Sequence, residues 1–391
     1  MAVRRIPSAG RAAAFVAGLI SVAACGGADG SRVATTNTTV AASTTSTTTT
    51  STTTTSTSSP AAPTSSPVAS ATSTLPDAPP VVPAEQRAAL LCARTGIEVA
   101  GRVETPDLDE ASGLAASRAH PGVLWSHNDG AEQPGVFALG SDGSDLGFHD
   151  LPADVAAVVT DVEDIAIAAG PAGDVLYLAD IGDNRERRES ISLFRFPEPD
   201  PTAPGTLAGV ERFEFTYPDR AHNAEALLID EANDRAVIVT KQQAPDDDGR
   251  PDPLGATGRS TVFEGSLDRP DGGPIELVAV GFVDAVALEQ RTVNPFPHPA
   301  TLVGVGGVVT GGDVSVDGAL VALRTYEAVW VWPRRPGESV AQVVTDVDAA
   351  CQVAAFPELQ GEAVAFVGDA GGLGLVTLGE GVGQPLHRLG R

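Results

Sequence analysis

The sequence predicts an all-β fold, a β-propeller of four-stranded blades, from two observations. A short motif that joins an acidic residue to an apolar run recurs along the chain, and each copy opens a set of short β-rich runs separated by Gly, Asp, Asn and Pro. The copies lie at Glu110–Ala115, Val162–Ala166, Ala224–Leu228, Gly312–Ser315 and Gly361–Ala365. Their acidic residues are 53, 62, 88 and 49 residues apart, so five blades are favoured, and the long third interval leaves six open.

The second, third and fourth sets show the predicted strands in chain order. The second set contains Glu163–Ala168, Val175–Ala179, Ile191–Phe196 and Val210–Tyr217. The third contains Ala226–Ile229, Ala236–Thr240, Thr261–Gly265 and Glu276–Phe282. The fourth contains Val314–Val316, Leu320–Thr325, Ala328–Trp332 and Ala341–Val344. Apolar residues in these runs alternate or are continuous between turn residues, as in half-buried and fully buried strands.

The last set is one strand short, which predicts how the ring closes. It contains only Glu362–Val367, Gly374–Leu378 and Leu386–Leu389 before the chain ends. The run Ile97–Val103, ahead of the first motif, is the candidate for the missing strand, because closure by an N-terminal strand leaves no exposed sheet edge. Cys92 and Cys351 then predict a disulfide that holds this strand near the start of the last blade, with two separate buried thiols as the alternative.

The first residues predict export and a lipid anchor. Arg4, Arg5 and Arg11 precede the short apolar run 12–20, as in a signal peptide spanning residues 1–24. The following segment, 22–26, resembles the lipobox of bacterial lipoproteins, which implies that Cys25 carries acyl chains such as palmitate; an ordinary secretory signal is the alternative. We therefore expect the protein on the outer, extracytoplasmic face of the cell membrane, held by its lipid.

Two regions follow the predicted anchor. Residues 25–84 are dominated by Ser, Thr, Ala and Pro and predict a disordered tether, because they cannot bury enough apolar surface to fold. Residues 85–391 are the predicted propeller domain, which we expect to be a monomer. The formal net charge of −26 excludes nucleic acid as a partner and suits cation binding.

The propeller topology brings candidate site residues to one rim. The start of each first strand and the end of its antiparallel second strand lie side by side. The acidic candidates are Glu110, Asp129, Glu163, Asp164, Asp180, Asp183, Glu225, Asp313 and Glu362, and the basic candidates are Lys241 and Arg324. Converging carboxylates need a neutralising cation, and oxygen ligands suit Ca²⁺. The alternative is that these acids cap turns, pair with Lys241 and Arg324, and orient strand ends.

The motif set also carries a resemblance. The segments Glu110–Ala115, Val123–Asp129, Val162–Ala166, Asp180–Asn184, His222–Leu227 and Gln360–Val364 resemble those of exported, propeller-like lipoproteins of actinobacteria and, more distantly, the esterase-like phytase group. That resemblance implies acids that hold Ca²⁺, with Lys241 and Arg324 reaching a phosphate.

Three functions follow from these patterns. The first is a cell-envelope module that binds a small molecule, a glycan or an envelope protein, with Ca²⁺ as its candidate cofactor. The second is a Ca²⁺-dependent, phytase-like phosphoesterase. The third is a sugar-processing enzyme using Glu163 with Glu225 or Glu362. No residue is assigned a catalytic role, and enzymatic activity stays open.

Overall fold

The computed structural model describes residues 82–243, 255–268, 272–296, 299–369 and 372–390. The predicted signal peptide, Cys25 and nearly all of the predicted tether lie outside this part of the chain. The described residues belong to one compact unit that begins at Val82. Its helices are all too short or too polar to cross a membrane.

The chain forms five antiparallel blades around a channel, which confirms the predicted fold. Helix α1 (Ala84–Cys92) and strand β1 (Ile97–Arg102) come first. Blade one contains β2 (Ala111–Ala116), β3 (Val123–Asn128), β4 (Gly135–Gly140) and β5 (Asp145–Asp150), and helix α2 (Ala153–Ala156) follows it. Blade two contains β6 (Val162–Gly170), β7 (Gly173–Asp180), β8 (Ile191–Pro197) and β9 (Glu211–Thr216).

The remaining blades follow in the same order. Blade three contains β10 (Ala224–Asp230), β11 (Arg235–Thr240), β12 (Ser260–Ser266), then the short β13 (Ile275–Glu276), and β14 (Val278–Val283). Helices α3 (Ala285–Arg291) and α4 (Pro299–Val303) lead to blade four, which contains β15 (Val309–Val314), β16 (Leu320–Thr325), β17 (Val329–Pro333), helix α5 (Val340–Thr345) and β18 (Cys351–Gln352). Blade five contains β19 (Gly361–Asp369), β20 (Gly372–Gly379) and β21 (Pro385–Leu389).

The N-terminal strand closes the ring, as the sequence predicts. Strand β1 pairs antiparallel with β21, with Ile97 opposite Leu389, and so becomes the outer strand of blade five. The first strands of neighbouring blades contact one another all the way round, from β2 through β6, β10, β15 and β19 back to β2. These strands are buried on both faces, which explains why they read as continuous apolar runs.

Five hydrophobic clusters hold the blades together, one at each junction. Between blades one and two, for example, Trp125 packs with Phe194, and between blades three and four Val237 and Leu228 pack with Trp332. The other three clusters fill the junctions of blades two and three, four and five, and five and one. The core is therefore a ring of interblade layers rather than one central mass.

The predicted disulfide is present between Cys92 and Cys351. It joins the end of α1 to β18, the outer strand of blade four. Leu91, beside Cys92, is buried in the cluster between blades four and five together with Phe356. Helix α1, ahead of the closing strand, is thus fastened to the neighbouring blade.

Blade four differs from the sequence prediction in two places. The run Ala341–Val344, predicted as its outer strand, belongs to helix α5, and the outer strand is the shorter Cys351–Gln352. The Ser339 side chain accepts a hydrogen bond from the Gln342 backbone N–H and so caps the helix. A short apolar run does not distinguish helix from strand by periodicity alone. The first strand begins at Val309, five residues before the predicted start.

The long third interval contains no sixth blade in the part of the chain that the structure describes. Helices α3 and α4 occupy it instead. The predicted strand Glu276–Phe282 is also divided. Ile275 and Glu276 pair in parallel with β9 of blade two, while β14 from Val278 completes blade three.

Candidate metal centre at the channel mouth

Each first strand carries a β-bulge near its start. The register with the second strand shifts there in all five blades, so that one extra residue is accommodated. A bulge re-aims the side chain of the extra residue, and such bulges are common next to functional sites. The bulge residues are Ser112, Glu163, Glu225, Thr310 and Glu362. All five are buried.

The two hydroxyl members of this ring tie neighbouring blades together. Ser112 Oγ donates a hydrogen bond of 2.7 Å to the carbonyl of Glu163 in blade two. Thr310 Oγ1 donates one of 2.9 Å to the carbonyl of Gly361, which precedes Glu362 in blade five. The backbone beside two of the three bulge glutamates is therefore fixed by the preceding blade.

Two further sets of equivalent positions surround the bulges. The residues that directly follow the second strands are Asp129, Ile181, Lys241, Tyr326 and Glu380. The residues two positions before the bulges are Glu110, Asp161, Asn223, Val308 and Gln360. Together the three sets form the channel mouth, and seven of their members are carboxylates that interact electrostatically: Glu110, Asp129, Asp161, Glu163, Glu225, Glu362 and Glu380.

One cation, Lys241, lies among these acids, and it is the single lysine of the 391-residue chain. Its Nζ is 2.5 Å from Glu225 Oε1 and 5.2 Å from the centre of the Tyr326 ring. Burial acts to lower the pKa of Lys241, but the adjacent Glu225, then Tyr326, Glu362 and Glu163, raise it well above its usual value. Lys241 is therefore a permanently charged ammonium group.

The acids outnumber this one ammonium group, and burial together with their mutual repulsion raises the pKa values of several of them. Burial, followed by repulsion from Asp129 and then Glu225, raises the pKa of Glu163 well above its usual range. Burial also raises the pKa of Glu225 to about 7, although Lys241 acts to lower it. Burial, followed by Asp129, raises the pKa of Asp161 to about 7. An additional cation at this mouth would relieve these groups.

Asp129, Asp161 and Glu163 have the geometry of a metal site. Each offers one carboxylate oxygen, and the three oxygens lie within 4.8 Å of one another. A backbone bridge between Gly130 and Val162 joins blades one and two here, which brings Asp129 beside the other two acids. Carboxylate oxygens are hard ligands of the kind that bind divalent cations such as Ca²⁺ and Mg²⁺. The triad is therefore a candidate metal site.

Gly182 keeps space open beside this triad. A Cβ atom at this position would collide with Glu163 Oε1 and would lie 2.6 Å from Asp161 Oδ2. Glycine therefore leaves room where the two carboxylates converge, and a larger residue at position 182 would displace their oxygens.

Asp180 and Asp183 support the loop that carries Gly182. The Asp180 carboxylate receives two hydrogen bonds of 2.9 Å from Arg188 and one of 2.8 Å from the backbone N–H of Asp161. The Asp183 carboxylate accepts from the backbone N–H groups of Arg187 and Arg188. Both acids thus help to orient the loop that carries Gly182.

Asp164 and Asp313 lie deeper in the channel. Asp164 accepts hydrogen bonds of 2.8 Å from the backbone N–H groups of Ile165 and Leu227, and Asp313 accepts from those of Val314 and Phe366. Asp313 also lines a cavity of about 350 Å³ at the opposite end of the channel. In blade four the bulge position belongs to Thr310 and not to Asp313, because the first strand starts earlier than predicted.

Arg324 is buried beside Gly361, which stands between the mouth residues Gln360 and Glu362. It is 1 % exposed between blades four and five, and its guanidinium is 2.6 Å from Glu358 Oε2. Glu110 also lies at the mouth, where burial and then Asp129 raise its pKa.

The sequence pattern does not predict several residues of the mouth. Asp161 and Gly182 are not among the predicted site residues, although Asp161 stands two positions before the motif glutamate of blade two. Gln360 occupies the same position in blade five and donates a 3.0 Å hydrogen bond to Glu362 Oε1. The occurrence of a single lysine in a chain otherwise supplied with arginine is a signal that is visible without the structure.

Comparisons with known proteins find similarity to solved structures at low sequence identity. No family model matches the chain, and no curated protein matches it. Among solved structures, it is similar to a chain of a nidogen/laminin complex (10 % identity, 70 % of this chain and 73 % of that one, TM-score 0.35). It is also similar to hydrazine synthase of Kuenenia stuttgartiensis (9 %, 68 % and 68 %, 0.34) and to the major allergen Mala s 1 of Malassezia sympodialis (9 %, 74 % and 95 %, 0.39).

Proposed function

We propose that this chain is a lipid-anchored, extracytoplasmic β-propeller that binds Ca²⁺ at its channel mouth and uses that mouth to hold a ligand. The observation that carries the proposal is the convergence of Asp129, Asp161 and Glu163 from two blades, with ligand oxygens within 4.8 Å of one another. Propellers with many different functions share this fold, so the fold alone does not assign a function. The proposal therefore rests on the arrangement of the site residues.

The anchor rests on the N-terminal sequence. A lipobox-like segment ending at Cys25 follows a signal-peptide pattern, and a Ser/Thr/Pro-rich segment then separates it from the propeller. Growth with a labelled fatty acid should label the wild-type chain but not a Cys25→Ala variant. Equal labelling of both would exclude this anchor.

Charge favours a bound cation over a bound phosphate. The mouth holds seven carboxylates, and Lys241, its ammonium group, is engaged by Glu225. Arg188 pairs with Asp180, and Arg324 pairs with Glu358 in the interior. A phosphoester would therefore meet an excess of negative charge. We rank phosphoester hydrolysis below a metal-dependent binding function for this reason.

Calorimetric titration of the full chain with Ca²⁺ and with Mg²⁺ tests the proposal. We expect one Ca²⁺ per chain, weaker binding of Mg²⁺, and a rise in melting temperature with Ca²⁺ that EDTA reverses. Asp161→Asn and Gly182→Ala should each abolish or strongly weaken Ca²⁺ binding.

Asp154→Asn is the matched control, since it removes the same charge from an exposed position in α2. Absence of Ca²⁺ binding by the wild type, or equal binding by Asp161→Asn and Asp154→Asn, would refute the metal site.

A further inference from the structure

One oxygen at the mouth has no protein partner. Glu362 Oε2 is buried and accepts no hydrogen bond from any of the described residues, and the Glu362 side chain is only 5 % exposed. A buried carboxylate oxygen without a donor is costly, and such groups in folded proteins call for a partner that the chain itself does not provide. The other oxygen, Oε1, is already bonded to Gln360.

The surroundings of Glu362 are acidic. Its carboxylate interacts with Lys241 and is repelled by Glu225 and Glu380. Lys241 is committed to Glu225, and Gln360 is shared between Glu362 and Glu380. The half of the mouth formed by Glu225, Glu362 and Glu380 is therefore rich in carboxylates. Lys241 and Tyr326 lie among them, yet Glu362 Oε2 receives no hydrogen bond from the described residues.

The missing partner is a cation of a particular kind. Among the described residues, only Asp129, Asp161 and Glu163 bring three ligand atoms close enough to hold a metal ion, and Glu362 is not one of them. An ammonium group has three donors and no acceptor, and unlike a metal ion it does not need several close ligand oxygens, so it suits a single unpartnered carboxylate oxygen in an acidic setting. A neutral hydroxyl would supply a donor but would leave the charge uncompensated.

We propose that Glu362, with Glu225 and Glu380, binds the protonated primary amino group of a small organic amine. The proposal rests on the mouth being the binding site, as in the proposed function, but it does not depend on Ca²⁺. It assigns the two halves of the mouth different cations, a metal ion at Asp129, Asp161 and Glu163 and an organic ammonium at Glu362. An alkyl diamine is the simplest member of this ligand class.

Calorimetric titration of the full chain with 1,4-diaminobutane and with 1,4-butanediol tests this inference. The two probes share a carbon skeleton and differ in charge. We expect the diamine to bind with one-to-one stoichiometry and the diol not to bind measurably. Glu362→Gln should weaken diamine binding by about tenfold or more, because a charge-assisted hydrogen bond is lost.

Matched variants localise the effect. Glu98→Gln removes one carboxylate from an exposed position of β1 in the same blade and should leave diamine binding unchanged. Where Glu362→Gln lowers the melting temperature too far for titration, Glu380→Gln takes its place, since Glu380 lies just beyond the end of β20. Equal effects of Glu98→Gln and Glu362→Gln would show only non-specific attraction to an acidic protein and would overturn the proposal.

The remaining outcomes separate this inference from the proposed function. The inference is overturned if the diol binds as tightly as the diamine or if the diamine does not bind. Neither result bears on Ca²⁺ binding, which is measured separately. Loss of diamine binding in Asp161→Asn but not in Glu362→Gln would place the amine at the metal triad and would also overturn it. If the chain binds the diamine through Glu362 but does not bind Ca²⁺, the amine site is supported and the metal site is refuted.

Discussion

The role of each residue at the channel mouth depends on how the charges of the converging acids are compensated. Lys241 is partly buried beside Glu225 and interacts with Glu163 and Glu362, so one ammonium group partly neutralises acids from three blades. The sequence predicts that the first strands deliver Glu163, Glu225 and Glu362 to one place, because each follows the same motif. It does not predict Asp161, which lies outside the apolar run.

Lys241→Met should destabilise the protein strongly. Removing the cation leaves Glu225 and its neighbours buried without their partner, and breaking a buried ion pair from one side costs about 3–5 kcal/mol. Urea unfolding at pH 7 measures this. Arg335→Met, which breaks an exposed ion-pair cluster with Glu85 and Glu338, is the control and should cost less than about 1 kcal/mol. Similar losses in both variants would contradict the account of the mouth.

The raised pKa values of Asp161 and Glu225 predict a pH-dependent stability. Both reach about 7, from usual values of 3.8 and 4.5, so the folded state binds more protons than the unfolded state between about pH 4 and 7. The stabilisation is present in full below pH 4 and is lost as the pH rises through 7, by about 3 to 4 kcal/mol for one such group. Unfolding in EDTA at pH 5.5 and 8 should show greater stability at pH 5.5.

Ca²⁺ should reduce that difference, because the bound ion favours ionised Asp161. A protein that is more stable at pH 8 than at pH 5.5 in EDTA would contradict the assignment.

At the level of elements, the bulge is the unit that builds the site. The motif predicts blade two closely, since every predicted strand there overlaps an observed one. Blade four is less predictable, because Val309–Gly312 has two glycines and no acidic residue at its bulge. The motif is therefore matched to Asp313, three residues after the bulge. The capped helix α5 and the two-residue β18 also have too little sequence to be identified by pattern alone.

Ser112→Ala tests the clamp between blades one and two. It removes the 2.7 Å hydrogen bond to the Glu163 carbonyl, so we expect a loss of about 1 kcal/mol in unfolding free energy and weaker Ca²⁺ binding. Ser144→Ala, in the turn between β4 and β5, removes a partly exposed hydrogen bond to Asp142 and should leave Ca²⁺ binding unchanged. Unaltered Ca²⁺ affinity in Ser112→Ala would show that this hydrogen bond does not help to position the metal site.

At the level of the whole molecule, closure is the main feature that the sequence predicts correctly. The missing fifth-blade strand and the even pair of cysteines point to the same junction, and the structure shows β1 beside β21 with Cys92 bonded to Cys351. The five interblade clusters depend on this ring, since each cluster lies between two neighbouring blades.

Removal of the disulfide should therefore weaken the ring without changing the fold. The Cys92→Ser/Cys351→Ser double variant should lose about 2–5 kcal/mol, because the bond closes a loop between residues 259 apart in sequence. Denaturant unfolding checks this, and the reduced wild type should match the double variant. A wild type whose stability does not respond to reduction would show that β1 pairing alone holds the ring.

The central claim is that the bulged first strands place a Ca²⁺ site between blades one and two. A crystal structure of the protein grown with Ca²⁺ tests it most directly. The account predicts one ion bonded at about 2.3–2.6 Å to oxygens of Asp129, Asp161 and Glu163. An ion bound elsewhere, or a mouth in which these three carboxylates remain without a metal at saturating Ca²⁺, would contradict it.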